Sequence, residues 1–197
     1  MAYHHGHLKE ALIDAALATA RVDGPDAVVL RAATRAAGVS PSAAYRHFAD
    51  RDELLAAVGE RCMACLAELI EARLADLPAG ADPAAVAWER LRAAGRAYVE
   101  FALVEPGWFR TAFSTPKTTE GSQEPARDPF AILNAVLDEL VAAGALPAKR
   151  RPGAEYPAWA AVHGIATLLV DGPLRDLPAV ARDDVVNRVV EVVATGL

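Results

Sequence analysis

One stretch, LRAATRAAGVSPSAAYRHF from Leu30 to Phe48, constrains the fold more than any other. It reads as two short helices joined by a tight turn at Gly38, where the backbone needs a residue tolerant of positive φ. Ser40 is a good N-cap for the second helix, and Pro41 falls at its first position, where a missing N–H costs nothing. Val39 and Phe48 are spaced to pack inward. This is a helix-turn-helix, in which the second helix enters the DNA major groove with its first residues against base edges. A plain helical hairpin is the competing reading of the same pattern.

The side chains in this stretch suit DNA. Ser42, Ala43 and Ala44 are short enough for close approach to the groove floor. Ser42 can bond a base, and Ala43 can touch a thymine methyl. Tyr45, Arg46 and His47 can reach phosphates, and Arg31 and Arg35 lie where the supporting helix should cross the backbone. Asp50 and Glu53 have capping-box spacing at the start of a long helix, where Arg51 and the free N–H groups can hold a phosphate. Thr34, at a helix contact, can bond the carbonyl four residues back.

The rest of the chain is helical segments separated by Gly and Pro. They cover about 8–21, then 50–77, 82–104, 106–113, 130–143, 155–170 and 183–194, with no convincing strand and no internal repeat. The 197 residues are 53% hydrophobic, rich in Ala and Leu and poor in aromatics, as in a helical protein. Three short helices precede residue 50 and long ones follow. This predicts two domains, 1–50 and 51–197, with a mobile polar loop at STPKTTEGSQEPARD, 114–128.

A net charge of −6 argues against a chain coated in nucleic acid, so binding would rest on a local basic face. No apolar run is long enough to span a membrane and no leader precedes the first helix, so the chain is expected in the cytoplasm, away from membranes. Cys62 and Cys65 lie in a C-x-x-C inside a long helix without a second pair, which favours packing over zinc or redox chemistry. No cofactor, metal or catalytic constellation is indicated. His4, His5 and His7 lack the carboxylate or thiolate that would complete a metal site.

G-V-S-x-x-x-x-Y-x-H-F, with Tyr45, His47 and Phe48 at the matching positions and a capped long helix after it, resembles the tetracycline-repressor (TetR) family. The resemblance runs from Tyr3 to Leu55, with Arg51 at a position where a phosphate-contacting Lys is common. It implies an all-α fold: a three-helix helix-turn-helix domain followed by a larger helical domain for effector binding and dimerisation. It also implies a homodimeric, ligand-released repressor on a near-palindromic double-stranded DNA operator, with no enzymatic activity. Trp159-x-x-x-His163-Gly164 resembles the signature of the WHG-type C-terminal subclass, and Tyr3-His4-His5-Gly6 resembles the N-terminal arm of the same regulators. That arm places Tyr3, His4 and His5 beside the DNA, with His7 where a helix cap is usual.

The resemblance assigns the larger domain a small apolar or aromatic effector. Candidate pocket residues are Trp88, Tyr98, Phe101, Trp108, Phe109, Phe113, Trp159 and His163. His163 reads equally as a ligand contact or a hydrogen-bonded core residue, and Gly164 as a site of close helix approach. The last two helices would pair with their copies through Leu168, Leu169, Val185, Val189 and Val193. An all-helical carrier or enzyme using the same cavity is the alternative, but it leaves the helix-turn-helix pattern unexplained.

Overall fold

A computed structural model describes residues 5–114 and 128–197, with side chains from Leu8 onward. The predicted loop at 114–128 and the arm residues Tyr3 and His4 lie almost wholly outside them. The described residues form nine α-helices and two short 3-10 turns, with no strand. The helices are α1 (His5–Asp23), α2 (Leu30–Ala36), α3 (Pro41–Ala44), α4 (Arg51–Ala75), α5 (Pro83–Val104), α6 (Pro106–Ala112), α7 (Pro129–Ala142), α8 (Glu155–Val170) and α9 (Ala179–Gly196). Helix α1 begins at His5, so His7 sits inside the first turn rather than capping it.

The packing divides the chain into two compact units, and not at residue 50. One unit holds the residues up to 64 together with the segment that begins at 105; the other holds 65–104 and the chain from 127 to the C-terminus. In the first unit α1 supplies Leu12, Ile13, Ala16 and Ala20, which are buried with Leu30 and Ala33 of α2, Ala44 of α3, Phe48, and Leu54, Leu55 and Val58 of α4. Cys62 is buried in the same core and Cys65 is half-buried one turn on.

Helix α6 joins this unit, which the sequence pattern does not foretell. Gly107 lies so close to the end of α1 that an added Cβ would run into the carbonyl groups of Ala20 and Arg21. Trp108 donates its indole N–H to the Leu17 carbonyl at 2.9 Å, and the Arg21 guanidinium stacks over the Trp108 ring at 5.0 Å while pairing with Glu105. Phe109 is buried, and Phe113 packs on it with ring centroids 5.2 Å apart. Trp108 and Phe113 pack against the core of the helix-turn-helix unit, and Phe109 is buried beside them. Their aromatic stripe is a clamp on α1.

The second unit is built around α5, which packs on α7, α8 and α9. Its buried face carries Ala87, Leu91, Ala94, Ala97, Tyr98 and Phe101, the period of an amphipathic helix. Leu137 and Leu140 of α7 and Ile165, Ala166 and Leu169 of α8 complete the core. Arg90 pairs with Glu139 at 2.6 Å and Arg92 with Glu191 at 2.7 Å, which ties the exposed flanks of α5 to α7 and α9.

Because Gly107 has no room for a side chain, Gly107→Ala should destabilise the protein by about 1–3 kcal/mol. Urea unfolding followed by circular dichroism measures this; an unchanged midpoint would show that α6 does not grip α1.

Candidate nucleic-acid interface and ligand cavity

The helix-turn-helix forms as its residue types require. Gly38 takes φ 69°, and Val39 N–H returns to the Thr34 carbonyl at 3.0 Å to close the turn. Thr34 is buried, and its hydroxyl bonds the Arg31 carbonyl at 3.0 Å, three residues back rather than four. Helix α3 ends at Ala44, shorter than the reading to Phe48, and the chain continues as a turn in which Phe48 N–H still reaches the Ala44 carbonyl at 3.0 Å. Ala44 and Phe48 are the buried anchors, with exposures of 0% and 1%. Ser40 has the extended conformation of an N-cap, but its hydroxyl bonds the Ser42 hydroxyl at 3.1 Å rather than capping the helix.

The opposite face is open. Ser40, Pro41, Ser42, Tyr45 and Arg46 are exposed, Ala43 and His47 are half-buried, and Arg31 and Arg35 are exposed on α2. Arg31, Arg35 and Arg46 make no ion pair with the described residues. Several arginines elsewhere are paired: Arg61 with Glu10, Arg73 with Glu100, Arg96 with Glu89, and Arg151 with Asp138 and Glu155. Like Arg31, Arg35 and Arg46, Arg150 and Arg188 of the second unit are without an ion pair among the described residues, so the helix-turn-helix holds a cluster of uncancelled positive charge but not all of it. His4 lies outside the described residues and His5 opens α1, its side chain undescribed.

Arg51 corrects one expectation. Its guanidinium donates from Nε to the Val28 carbonyl at 2.9 Å and from Nη2 to the Pro25 carbonyl at 2.8 Å, which fastens the α1–α2 connection to α4, while Nη1 lies 3.6 Å from Asp52. The start of α4 is capped as expected: Glu53 N–H donates to Asp50 Oδ1 at 2.9 Å, and Glu53 Oε2 accepts from Ala49 N–H at 2.6 Å.

The second unit holds an apolar cavity lined by Leu91, Gly95, Tyr98, Leu133, Trp159 and Val190, among others. Of the predicted pocket residues only Tyr98 and Trp159 reach it. Phe101 is buried in the core of this unit and Trp88 is half-buried on α5, both away from the lining. The aliphatic walls were missed because a leucine or valine in a helical stripe carries no mark of a pocket. Trp159 stands edge-on to Tyr98 at 5.2 Å and to Phe130 at 5.4 Å. His163 sits behind this wall and shares a 2.8 Å hydrogen bond with the Tyr98 hydroxyl through Nδ1. Burial lowers the His163 pKa and holds the Tyr98 phenol protonated. Among the described residues nothing lies within 4 Å of where a Gly164 Cβ would sit, so no close approach is seen there.

The predicted pairing residues also separate. Leu168 is 42% exposed, and Val185 and Val189 line a shallow surface groove with Ala161 and Val192. Leu169 instead points into the core, and Val193 lines the cavity, because α8 and α9 each turn those positions inward.

Arg51→Met should cost about 1–3 kcal/mol of stability through its lost carbonyl contacts, while Arg46→Ala should stay within about 0.5 kcal/mol; parallel urea titrations separate them. A lowered folded pKa means that His163 binds its proton more readily when unfolded. Its contribution is therefore present above the ordinary value of 6.5 and is lost as pH falls below it. Between about pH 7 and about pH 5 the unfolding midpoint of His163→Gln should fall less than that of the wild type.

Comparison with known proteins matches this geometry. The family profile described as "Tetracyclin repressor-like, C-terminal domain" matches residues 91–193, over half of the 197-residue chain, and that described as "Bacterial regulatory proteins, tetR family" matches 12–58. No curated protein matches by sequence. A protein with unknown function from Rhodococcus sp. RHA1 is 30% identical with a TM-score of 0.77, the alignment covering 100% of this chain and 98% of that one. FadR from Bacillus subtilis in complex with stearoyl-CoA is 16% identical, TM-score 0.65, with 95% and 98% covered. A TetR variant from Acinetobacter baumannii AYE in complex with minocycline is 19% identical, TM-score 0.64, with 94% and 93% covered. The likeness to the last two is one of fold. Among the described residues no helix is long and apolar enough to cross a membrane. With both profiles and an exposed helix-turn-helix in agreement, the chain belongs to the TetR family and is a DNA-binding transcriptional regulator.

Proposed function

We propose that the chain acts as a homodimeric repressor on a near-palindromic operator and is released from it by a small apolar or aromatic effector. The observation that carries the reading is the unpaired basic face of the helix-turn-helix. Arg31, Arg35 and Arg46 surround the exposed Ser42 and Tyr45 in a chain whose other arginines are mostly held by carboxylates. Ser42 and Ala43 address base edges, while Tyr45, His47 and the arginines address phosphates. The role is binding rather than catalysis.

A dimer is needed to place two recognition helices about 34–36 Å apart on successive major grooves. The exposed Leu168 and Val192, with the half-buried Val185 and Val189 between them, support this face of α8 and α9 as the contact with a second copy. Gly164 adds to the argument. A glycine in a helix interior costs about 1 kcal/mol against alanine, and none of the described residues needs its bare backbone. A partner helix crossing there would account for it.

Stearoyl-CoA in FadR and minocycline in the TetR variant support a small-molecule role for the cavity beside Trp159. An effector releases DNA to the extent that it binds more tightly to dimers with the wrong spacing.

The protein should shift DNA flanking its own gene in a gel assay, and absence of a shift at low salt would overturn the reading. Arg35→Ala should weaken binding and flatten the salt dependence by about 0.9 log units per lost phosphate contact. Removing residues 1–5 should weaken DNA binding but leave the dimer intact by light scattering; unchanged binding would show the arm to be idle.

A further inference from the structure

We propose that α9 pairs with α9 of a second copy in one fixed antiparallel register, in which Asp184 meets the partner's Arg188 and Arg188 meets the partner's Asp184. The inference rests on the reading of the chain as a homodimer through α8 and α9. Helix α9 buries Val186, Val190 and Ala194 as it packs on α5 and α8, and Glu191 pairs with Arg92 of α5. A second stripe, Val180, Asp184, Arg188 and Val192, is offset by two positions from the buried one. That is about 200° around a helix of 3.6 residues per turn. All four residues are exposed, the valines by 75% and 64%. A solvated helix face carries polar residues; here a valine stands at each end and only the middle is charged.

Read from either end, the stripe runs apolar, charged, charged, apolar, with the two charges opposite in sign. A two-fold axis presents the same patch from both copies, so that residue i meets j and j meets i. An axis level with Val186 sets Asp184 against the partner's Arg188, since both lie two positions from it. It also sets Val180 against the partner's Val192, since both lie six positions from it. One axis thus closes two ion pairs in the middle and an apolar contact at each end. Positions four apart form one of the ridges by which helices pack. The half-buried Val185 and Val189 flank this ridge in a shallow groove with Ala161 of α8, which Asp184, Arg188 and Val192 also line.

The two charges are available for this. Asp184 and Arg188 are one turn apart on their own helix, a spacing at which opposite charges often pair, yet neither has an ion pair among the described residues. Neighbouring charges on α9 do: Glu191 lies 2.7 Å from Arg92, and Arg182 lies 4.0 Å from Asp183. A parallel alignment in the same register would set Asp184 against Asp184 and Arg188 against Arg188, and like charges in an interface strongly disfavour it. The valines supply attraction without direction. The charges supply the register, and they favour a second copy of this chain over another chain with a similar apolar face.

The test co-expresses full-length chains carrying two different tags and counts the dimers by native mass spectrometry, with sedimentation for affinity and melting curves to show that each variant folds. The wild type should sediment as a dimer. Asp184→Arg alone and Arg188→Asp alone should each weaken their own dimer about tenfold or more, since each sets like charges together twice. Expressed together, those two variants should form mixed dimers well beyond the statistical half. The double exchange Asp184→Arg/Arg188→Asp should dimerise like the wild type yet form few mixed dimers with it. An ion pair within one helix would survive the double exchange and leave its mixing with the wild type statistical, which would overturn the inference. Single variants that dimerise as tightly as the wild type would overturn it as well. A wild type that stays monomeric would overturn the dimer reading and this inference with it, whereas wild-type dimers with every mixture statistical would overturn the register alone. If a single variant does not fold, the double exchange against the wild type decides.

Discussion

The grip of α6 on the end of α1 is the contact on which the DNA-binding unit depends. Helices α2 and α3 are 7 and 4 residues long, too short to persist on their own. They hold their shape against α1 and α4, so the face they present is only as fixed as α1. Backbone lies on backbone where α6 meets α1, because Gly107 has no side chain to hold them apart. Trp108 and Glu105 then tie the indole and a carboxylate to the same turn of α1. A segment more than eighty positions along the chain thus finishes a domain that looks complete by residue 50.

Charge is arranged with similar selectivity. The chain carries −6 overall, which alone would repel a polyanion. Pairing resolves this, since many of the carboxylates are matched to arginines of the helical flanks. Exposed pairs of this kind contribute little to stability, about 0–1 kcal/mol each. Their larger effect is on the field: they cancel much of the positive charge of the helical flanks, while Arg31, Arg35 and Arg46 of the helix-turn-helix stay uncancelled. Arg51 shows the limit of reading charge from position. It lies at the start of α4 beside the helix-turn-helix, yet two backbone carbonyls take two of its donors and Asp52 lies near a third.

Much of the fold was legible because helical signals are local. The breaks at Gly24, Gly38, Gly144 and Gly172 fall at or within a few residues of helix ends, and the buried period of α5 follows from spacing alone. The capping residues at Asp50 and Glu53 were legible for the same reason. What escaped was long-range. The sequence offers Trp108, Phe109 and Phe113 as an aromatic cluster, but cannot say whether it closes over a ligand or over α1. It offers His163 as polar in an apolar helix, but the partner that makes it a supporting residue, Tyr98, is 65 positions away. The register of α8 and α9 also escaped: adjacent residues such as Leu168 and Leu169 face opposite ways, and one residue's rotation decides between core and surface.

Three helical glycines show how far one residue type can diverge in meaning. Gly107 is required by backbone packing, since any side chain would overlap carbonyl groups that cannot move without unwinding α1. Gly95 is required more softly, since its neighbours are valine methyls of α8 and α9 that can yield by a few tenths of an ångström. Gly164 meets none of the described residues, so no packing among them offsets the helical stability it gives up. Each has the same intrinsic cost, about 1 kcal/mol relative to alanine. The compensation differs in place: within the DNA-binding unit, at the wall of the ligand cavity and, for Gly164, at the face proposed to meet a second copy. The three functions assigned to the chain thus each have one position where the absence of a side chain is the informative feature.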